Sequence, residues 1–349
     1  MTSGSVVGAI MDSLKNRKIL LEVASQLGLK DFIVRAALRA DEEHLVALLV
    51  SALESKPIEN SILTLEDDSA QCFIDVVQDI LDKGFLMAPE HSSKARRLIR
   101  KLSESRERLP SALFITGVSG REELPTFGGG FGDIYRASYG NQVVALKHMR
   151  HFLRGAELRR IRLKFCREAL LWRDLHHPHI LPFIGIDRES FPASLCMVSP
   201  WLEHGTVLKY LNDHGRQNVD KLLFEVAQGL EYLHSHNIVH GDLRGSNILV
   251  NKDWSACLAD FGLSGFSEGN TGQTSSKRAG SAYWMAPELL APEHFEGKFS
   301  RTPASDVYAF GCVCFEVSDT YVLYTHHLTL FSCTQVVLHF PNSQRSQPC

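Results

Sequence analysis

A cluster of glycines is the first pattern in this sequence that points to chemistry. Residues 128–132 read Gly-Gly-Gly-Phe-Gly, and glycines let backbone N–H groups approach phosphate oxygens because no Cβ stands in the way. The cluster lacks the Gly-Lys-Ser/Thr ending of a Walker loop, and the helix that follows a dinucleotide-binding fingerprint is not predicted after it. Taken alone, the cluster predicts either a phosphate-binding loop or a flexible hairpin.

The residues after this glycine cluster predict two strands joined by a tight turn. Residues 134–139 alternate as a half-buried strand does, residues 140–141 read Gly-Asn, and residues 142–147 form a second short run. Gly-Asn between two such runs is a hairpin signal. A glycine loop beside two antiparallel strands, with Lys147 on the outgoing strand, is the arrangement of protein kinases.

Further motifs follow in the order that protein kinases use. Residues 144–147 resemble the lysine-bearing strand, residues 238–250 resemble the catalytic loop, and residues 260–262 and 286–288 read Asp-Phe-Gly and Ala-Pro-Glu. Each tripeptide alone can arise by chance, but the ordered set cannot. The chain therefore resembles the protein kinase family. This resemblance implies an enzyme that uses ATP and Mg²⁺ and phosphorylates protein substrates in signalling.

The resemblance implies a nucleotide-binding role for residues in the first half of the domain. Lys147 would grip the α- and β-phosphates, and Glu168, in a helix predicted over 162–172, would hold the lysine ammonium in position. The carbonyl of Pro200 would accept from the adenine amino group, and Leu202 would supply the donor. The implied set is Phe127, Gly128, Gly129, Gly130, Phe131, Gly132, Ile134 and Ala145 above the ring, Lys147, Glu168, Ser199 as gatekeeper, Pro200, Leu202 and Leu249.

The catalytic loop and the Asp-Phe-Gly motif imply the residues that act on the γ-phosphate. Asp242 would accept the proton of the substrate hydroxyl, and Arg244 would stabilise charge on the γ-phosphate. Asn247 and Asp260 would bind magnesium. Because the transition state of phosphoryl transfer is loose, positioning and electrostatics supply most of the catalysis, and these residues meet that need.

Two segments bear on the branch of the family. Residues 280–288 are similar to the substrate loop of serine/threonine kinases, with Ser281 where such enzymes keep a hydroxyl residue, whereas residues 244–247 lean towards the tyrosine-kinase catalytic loop. The mixture resembles the tyrosine-kinase-like branch of serine/threonine kinases, in a form common among fungal kinases. It predicts transfer to serine or threonine, with tyrosine as the alternative.

Two positions depart from the family pattern. Phe127 stands where the first glycine of the loop is expected, although Gly129 and Gly132 remain. Gly241 replaces the arginine that usually precedes the catalytic aspartate. Since that arginine normally pairs with a phosphate on the activation loop, its absence predicts weaker dependence on loop phosphorylation.

The region before the kinase motifs is predicted to be helical. Apolar residues at helical spacing predict helices over 12–27, 31–55, 65–83 and 89–108, with a break at 56–60. We find no catalytic cluster there, so a small helical bundle or arm is expected, and a regulatory or partner-binding module is the alternative. The basic residues of the last helix are expected to form a solvated face rather than a nucleic-acid site. The second helix carries one predicted buried stripe, Phe32, Val34, Leu38, Leu45, Leu48 and Leu49.

Composition and charge exclude several other classes of protein. Of the 349 residues, 44% are hydrophobic and 22% are charged, which is not the composition of a disordered, collagenous or fibrous chain. A net charge of −3 gives no basic field for nucleic acid. The eight cysteines of this long chain include no Cys-x-x-Cys pair, which predicts thiols in a reducing compartment. No signal peptide or membrane span is predicted, so the cytoplasm is expected, with the nucleus as alternative.

The resemblance to protein kinases implies an α+β chain with a bilobal protein kinase fold. We expect a helical region at 1–109, a kinase domain at 110–317 and an irregular tail at 318–349. Residues 305–316 resemble the central buried helix of the larger lobe, where Asp306 would bond to the backbone of the catalytic loop. Because the tail shows no helical period, a C-terminally truncated kinase lacking its last helices is expected. An active kinase and a non-catalytic kinase-like binding or scaffold protein are the two functions left open.

Overall fold

The computed structural model describes residues 3–129, 132–149, 156–191, 194–260, 265–266, 282–295 and 299–318. The chain divides into two units, one made of Met1–Arg173 and Ile184–Val198, the other of Asp174–Phe183 and Ser199–Cys349. Several predicted positions lie outside the described residues: Gly130, Phe131, Ser281, the last two residues of the Asp-Phe-Gly motif, and all of the predicted tail after Ser318.

The N-terminal region is helical, as predicted. Its helices are α1 (Ser3–Gln26), α2 (Asp31–Glu54), α3 (Lys56–Leu63), α4 (Asp67–Asp82) and α5 (Pro89–Arg106). The helices separate at Ser55, one residue before the predicted break at 56–60, but residues 56–60 are themselves helical, because Pro57 lies in the first turn of α3, where a missing N–H breaks no helical hydrogen bond. The largest fully buried side chains of this bundle are Ile10, Leu49, Ile62, Phe73, Ile74, Ile80 and Leu102.

The predicted stripe on α2 is buried over only part of its length. Leu45 and Leu49 are 2% and 0% exposed, whereas Phe32 at the start of the helix is 67% exposed. Helices α3 and α5 both contact α2. The apolar periodicity of the helix therefore identified a face, but not the point along the helix where neighbouring helices cover that face.

An antiparallel sheet follows the helices in the first unit, and the order of its strands in space differs from their order in the chain. Its strands are β1 (Val118–Ser119), β2 (Phe127–Gly129), β3 (Gly132–Tyr139), β4 (Gln142–His148), β5 (Gly185–Asp187) and β6 (Cys196–Pro200). The strand order is β1-β3-β4-β6-β5, with β2 paired to β3. Helix α6 (Ala156–Arg173) lies between β4 and β5 in the chain. The sheet core is formed by Ala137, Val144, Leu146, Cys196 and Val198.

The second unit is mainly helical, with short strands that carry the catalytic motifs. Its helices are α7 (Val207–His214), α8 (Val219–Ser235), α9 (Pro287–Leu290) and α10 (Pro303–Ser318). Its strands are β7 (Ile238–Val239), β8 (Ile248–Val250), β9 (Ala256–Leu258) and β10 (Gly265–Phe266). β8 and β9 form an antiparallel pair, and β10 pairs with β7. Catalytic-loop residues 240–247 thus lie between β7 and β8.

The predicted α+β class is confirmed, with a sheet in the first unit and a largely helical second unit. In the described ranges, we find no helix that combines the length and the apolar character needed to cross a bilayer. The lysine-bearing strand predicted over 142–147 is β4, and the helix predicted over 162–172 lies within α6.

Candidate active site

The glycine loop joins β2 to β3. Gly128 pairs with Asp133 and Gly129 pairs with Gly132 across the two strands. Gly132 has a φ of 140°, and a Cβ built at this position would overlap the carbonyl oxygen of His148. Both the backbone conformation and the available space therefore require glycine at position 132.

One face of the sheet presents three residues of the predicted nucleotide-binding set. Ile134 lies directly opposite Lys147 in the register of β3 and β4, and Ala145 precedes Lys147 by two positions on β4. Because side chains alternate along a strand, these three share a face, while Val144 and Leu146 enter the core on the other face. An apolar patch thus adjoins an ammonium group, as a ligand with a flat ring and phosphates requires.

Lys147 and Glu168 form the buried ion pair that the sequence predicted. The Lys147 Nζ atom donates to Glu168 Oε1, and the side chains are 12% and 2% exposed, respectively. Removal of water strengthens their attraction. Glu168 Oε2 is buried and has no hydrogen-bond partner among the described residues. The pair fixes the ammonium on the same sheet face as Ile134 and Ala145.

The remaining described members of the predicted nucleotide-binding set have different degrees of exposure. Phe127 is 48% exposed on β2. Ser199 is buried on β6, whereas Pro200, Leu202 and Leu249 are half-buried. The Leu202 carbonyl accepts a hydrogen bond from the Gly205 N–H in the turn that follows, and the donor role of the Leu202 N–H stays a prediction.

Asp242 and Asn247 lie side by side in the catalytic loop. The Asn247 side-chain amide donates to the Asp242 carbonyl oxygen at 2.7 Å and to its Oδ2 atom at 3.3 Å. Both residues are buried, at 7% and 6% exposure. The amide nitrogen therefore donates to Asp242, and among the described residues the amide oxygen, Oδ1, accepts a long hydrogen bond from the neighbouring Ser246 hydroxyl at 3.3 Å. This geometry orients the carboxylate and leaves an oxygen suitable for a cation.

Asp306 on α10 organises the start of the catalytic loop. Its carboxylate accepts hydrogen bonds from the backbone N–H groups of His240, at 2.8 Å, and Gly241, at 2.9 Å. His234 Nε2 lies 2.9 Å from the same carboxylate. Gly241 has a φ of 77°, a conformation that favours glycine, and its carbonyl accepts from Arg301 at 2.8 Å. The predicted bond between Asp306 and the loop backbone is thus present in the structure.

His240 connects the catalytic loop to Asp260. Its buried ring places Nε2 3.1 Å from the Ala259 carbonyl oxygen, and the Ala259 N–H donates to the Asn247 carbonyl. Asp260 follows directly with a φ of 63°, in the left-handed region that non-glycine residues seldom adopt. Residues with such backbone strain cluster at functional sites. These bonds join Ala259, the residue before Asp260, to the catalytic-loop residues His240 and Asn247.

Glu316 is a site residue that sequence reasoning missed. Its Oε2 atom accepts hydrogen bonds from the Gly245 backbone N–H, at 2.8 Å, and from Trp284 Nε1, at 2.9 Å. Burial raises the pKa of the Glu316 carboxyl, while these two hydrogen bonds oppose the rise. The guanidinium of Arg244 lies 5.9 Å from the centre of the Trp284 ring. The signal available in the sequence was a single carboxylate in the otherwise apolar second half of α10.

The donor chemistry of the catalytic loop fits magnesium. Asn247 and Asp260 offer amide and carboxylate oxygens, which are the hard donors that Mg²⁺ prefers. Within the described ranges, no group of three or more His, Cys, Asp or Glu residues forms a metal-binding cluster. Magnesium does not need such a cluster, because it is commonly held by one or two carboxylates together with substrate phosphates and water.

Comparison with known families assigns the chain to a class. A model of the family described as protein tyrosine and serine/threonine kinase matches residues 125–343, more than half of the chain. The chain belongs to this family. The match extends past residue 317, where the motifs placed the end of the kinase domain.

Individual relatives agree with the tyrosine-kinase-like branch expected from the motifs. Serine/threonine-protein kinase CTR1 of Arabidopsis thaliana is 35% identical over 198 residues, which cover 54% of this chain and 23% of CTR1. Serine/threonine-protein kinase STY46 is 31% identical over 60% of this chain and 35% of its own length. Serine/threonine/tyrosine-protein kinase HT1 is 31% identical over 53% of this chain and 46% of its own length. The chain therefore spans less than half the length of these three relatives.

Proposed function

We propose that this chain transfers the γ-phosphate of ATP to serine or threonine hydroxyls of protein substrates. The observation that carries the proposal is the buried Asp242–Asn247 pair, whose hydrogen bonds orient one carboxylate beside a cation-binding amide. Family membership and the names of the relatives support the same activity.

The residues divide the work of phosphoryl transfer as follows. Lys147, fixed by Glu168, neutralises phosphate charge, and the Gly128–Gly132 segment lets backbone N–H groups approach it. Magnesium, when bound by Asn247 and Asp260, supplies further charge neutralisation. Asp242 orients the substrate hydroxyl and accepts its proton, while Arg244 stabilises negative charge near it. Each residue positions or neutralises, which is what a loose transition state requires.

The absence of an arginine at position 241 supports an activity that depends only weakly on phosphorylation of the activation loop. Gly241 satisfies a backbone conformation with a φ of 77° and carries no charge. A phosphate on the activation loop therefore has no cation to pair with at this position. We expect the basal activity to depend only weakly on phosphorylation of that loop.

The thiols support a reducing compartment, the cytoplasm or the nucleus. No disulfide joins the six cysteines of the described ranges. Burial raises the pKa of Cys257 to about 11, which keeps this thiol protonated and unreactive at neutral pH.

A phosphotransfer assay with the purified full chain tests the proposal. Labelled ATP, Mg²⁺ and a general protein substrate are expected to give phosphoserine or phosphothreonine, and Asp242→Asn is expected to abolish the signal. Asp253→Asn, which makes the same chemical change on an exposed turn of the same unit, serves as the matched control. Nucleotide binding without transfer in the folded wild-type chain would instead support the non-catalytic alternative.

A further inference from the structure

Helix α6, which carries Glu168, is held by ion pairs from the N-terminal helices. Glu104 at the end of α5 pairs with Arg167 at 2.8 Å. Glu107, just beyond α5, pairs with Arg159 at 3.1 Å and reaches Arg162 at 3.6 Å. A further pair joins Asp82, the last residue of α4, to Arg173. Three carboxylates of the N-terminal region thus meet four arginines along the length of α6.

Three of these four arginines lie on the side of α6 that faces away from Lys147. At about 100° per residue, Arg159, Arg162 and Arg173 share one face of the helix, and Glu168 projects from nearly the opposite face. Arg167, next to Glu168 in the chain, lies on the flank. The N-terminal helices therefore support the back of α6, while its front presents Glu168 to Lys147.

The buried environment beside these pairs shows that α5 packs closely on α6. Cys166 is 5% exposed. Burial raises the pKa of its thiol to about 12, and the carboxylates of Glu107 and Glu104 contribute to that rise. Both carboxylates thus lie near a buried position of α6, and α5 and α6 are in direct contact.

Glu107 occupies a position at which glycine is the common choice. It caps the C-terminus of α5 with a φ of 52° and a ψ of 38°, and helices that end in this conformation usually have glycine there. The Glu107 side chain, which a glycine would lack, bridges Arg159 and Arg162. The contact with α6 accounts for a residue that the local backbone does not favour.

The link between the helical region and the sheet is also fixed. Asp75 on α4 accepts from the Ser111 N–H at 2.6 Å and from the Ser111 hydroxyl at 2.9 Å. Gln71 donates to the Leu109 carbonyl at 2.9 Å. Residues that follow Ser111 join the sheet, because the Ile115 N–H donates to Ile186 on β5. The chain between the bundle and the sheet therefore has little freedom to separate them.

We propose that helices α1–α5 form a positioning element that holds α6, and with it Glu168, against Lys147. Glu104, Glu107 and Asp82 are its positioning residues. The proposal rests on the proposed kinase function for its consequence, since the orientation of Lys147 matters for nucleotide binding. The arginine side chains at positions 159, 162 and 167 are 63%, 57% and 55% exposed, so each pair is weak by itself and screened by salt. Such contacts can be released and re-formed.

Amide hydrogen exchange of the full chain tests the contact without any need for activity. The variant Glu104→Arg/Glu107→Arg is expected to raise exchange across 156–173 at least about fivefold, as the loss of such ion pairs predicts. Glu90→Arg reverses a carboxylate on the same helix α5 whose partner is Lys94, and should leave α6 unchanged. Adding Arg167→Glu to Glu104→Arg restores an opposite-charge pair and should recover protection. Unchanged exchange across α6 in the double reversal would overturn the proposal.

Binding of a non-hydrolysable ATP analogue with Mg²⁺ tests whether the contact acts through Glu168. The double reversal should weaken binding about fivefold. Glu168→Gln should also weaken binding, and the two changes combined should be no worse than Glu168→Gln alone, because both act on one interaction. Fully additive losses would refute positioning through Glu168. If the wild-type chain binds no nucleotide, the kinase proposal fails, while the exchange experiment still decides whether α6 is held.

Discussion

The side-chain amide of Asn247 donates to both the backbone carbonyl and the carboxylate of Asp242, at 2.7 and 3.3 Å. One buried amide thus determines both where the loop backbone lies and where the carboxylate points. Its nitrogen donates to Asp242, and its oxygen is the atom for which we propose magnesium binding. The two proposed roles of this residue, orientation of the base and magnesium binding, are therefore separable by substitution.

Replacement of Asn247 by alanine should lower kcat by about a hundredfold, because small displacements of a reacting group cost this much. Steady-state phosphotransfer measurements at several Mg²⁺ concentrations check the prediction. Asn247→Asp should keep an oxygen for the cation but lose the donor to Asp242, so it should retain Mg²⁺ affinity better than alanine does.

Asn212→Ala on the exposed surface of α7 is the matched control for this substitution. It should leave kcat within twofold of the wild-type value, roughly the range of a neutral surface change. A comparable kcat for Asn247→Ala and Asn212→Ala would contradict the role given to Asn247.

Replacement of Gly132 by alanine should both destabilise the first unit and weaken nucleotide binding. The new Cβ would overlap the carbonyl oxygen of His148, and the φ of 140° would be strained as well. We expect a loss of about 1–3 kcal/mol in the free energy of unfolding. Urea unfolding and titration with an ATP analogue measure the two effects.

The variant Gly117→Ala is a control that has the backbone strain expected for Gly132→Ala but not its steric overlap. Gly117 has a φ of 90°, but a Cβ built there meets no atom within 4 Å. Its replacement should cost only about 1–2 kcal/mol from backbone strain and should leave nucleotide affinity unchanged. Equal losses of affinity in the two alanine variants would show that the tight contact at Gly132 has no importance for the site.

The raised pKa of Glu316 predicts that the free energy of unfolding depends on pH. Because burial raises its pKa in the folded state above the usual value of 4.5, the folded protein holds this proton more tightly than the unfolded chain does. The stability that this proton provides is present below pH 4.5 and is lost as pH rises through the folded pKa. Glu316→Gln should remove this contribution to the pH dependence, and unfolding experiments from pH 4.5 upwards test it.

The hydrogen bonds of Glu316 give this prediction its control. A glutamine oxygen still accepts from Gly245 and Trp284, so Glu316→Gln should fold well, whereas Glu316→Leu leaves a buried donor and a half-buried donor without a partner. We expect the leucine variant to lose about 2 kcal/mol or more. If Glu316→Gln shows the same pH dependence of unfolding as the wild type, Glu316 does not contribute to it.

Thiol labelling offers an independent view of the contact between α5 and α6. With a pKa of about 12, the Cys166 thiol should react very slowly with alkylating reagents near pH 8. Glu104→Arg/Glu107→Arg removes two carboxylates that raise this pKa and loosens the cover over the thiol, so Cys166 should be labelled faster. Mass spectrometry of the labelled peptide gives the rate.

Cys257, in the second unit, is the internal standard for this labelling experiment. Burial raises its pKa to about 11, with a contribution from Glu225. Neither Glu104 nor Glu107 contributes to that rise, so the double reversal should leave its rate unchanged. Equal acceleration at both thiols would indicate general unfolding instead of release of α6.

The sequence predicted the site well where spacing and residue type carry the information. Lys147, Glu168 and Asp306 follow from ordered motifs. The structure places the first two in contact, and Asp306 on α10 accepts a hydrogen bond from the backbone of the catalytic loop. The bridge from Glu316 to Gly245 joins residues 71 positions apart, and no local pattern indicates such a pairing. The same holds for Glu104 and Arg167, since each alone is an ordinary charged residue on a helix.

Errors in the predicted elements have local physical causes. Pro57 suggested that residues 56–60 form the break, but the helices separate at Ser55, and a proline in the first turn of a helix is compatible with that helix. Phe32 belonged to a predicted buried stripe, yet it is exposed because neighbours cover only the later part of α2. The periodicity of apolar residues indicates the direction in which a side chain projects from its helix. Whether that side chain is buried depends on packing against residues far away in the chain.

The carboxylate of Asp306 also has a consequence for biosynthesis. It accepts from His240 and Gly241, which leave the ribosome 66 and 65 residues earlier. Until Asp306 has emerged, the backbone of the catalytic loop lacks the acceptor that holds it. We therefore expect the catalytic loop of a nascent chain to acquire its final form only when α10 folds.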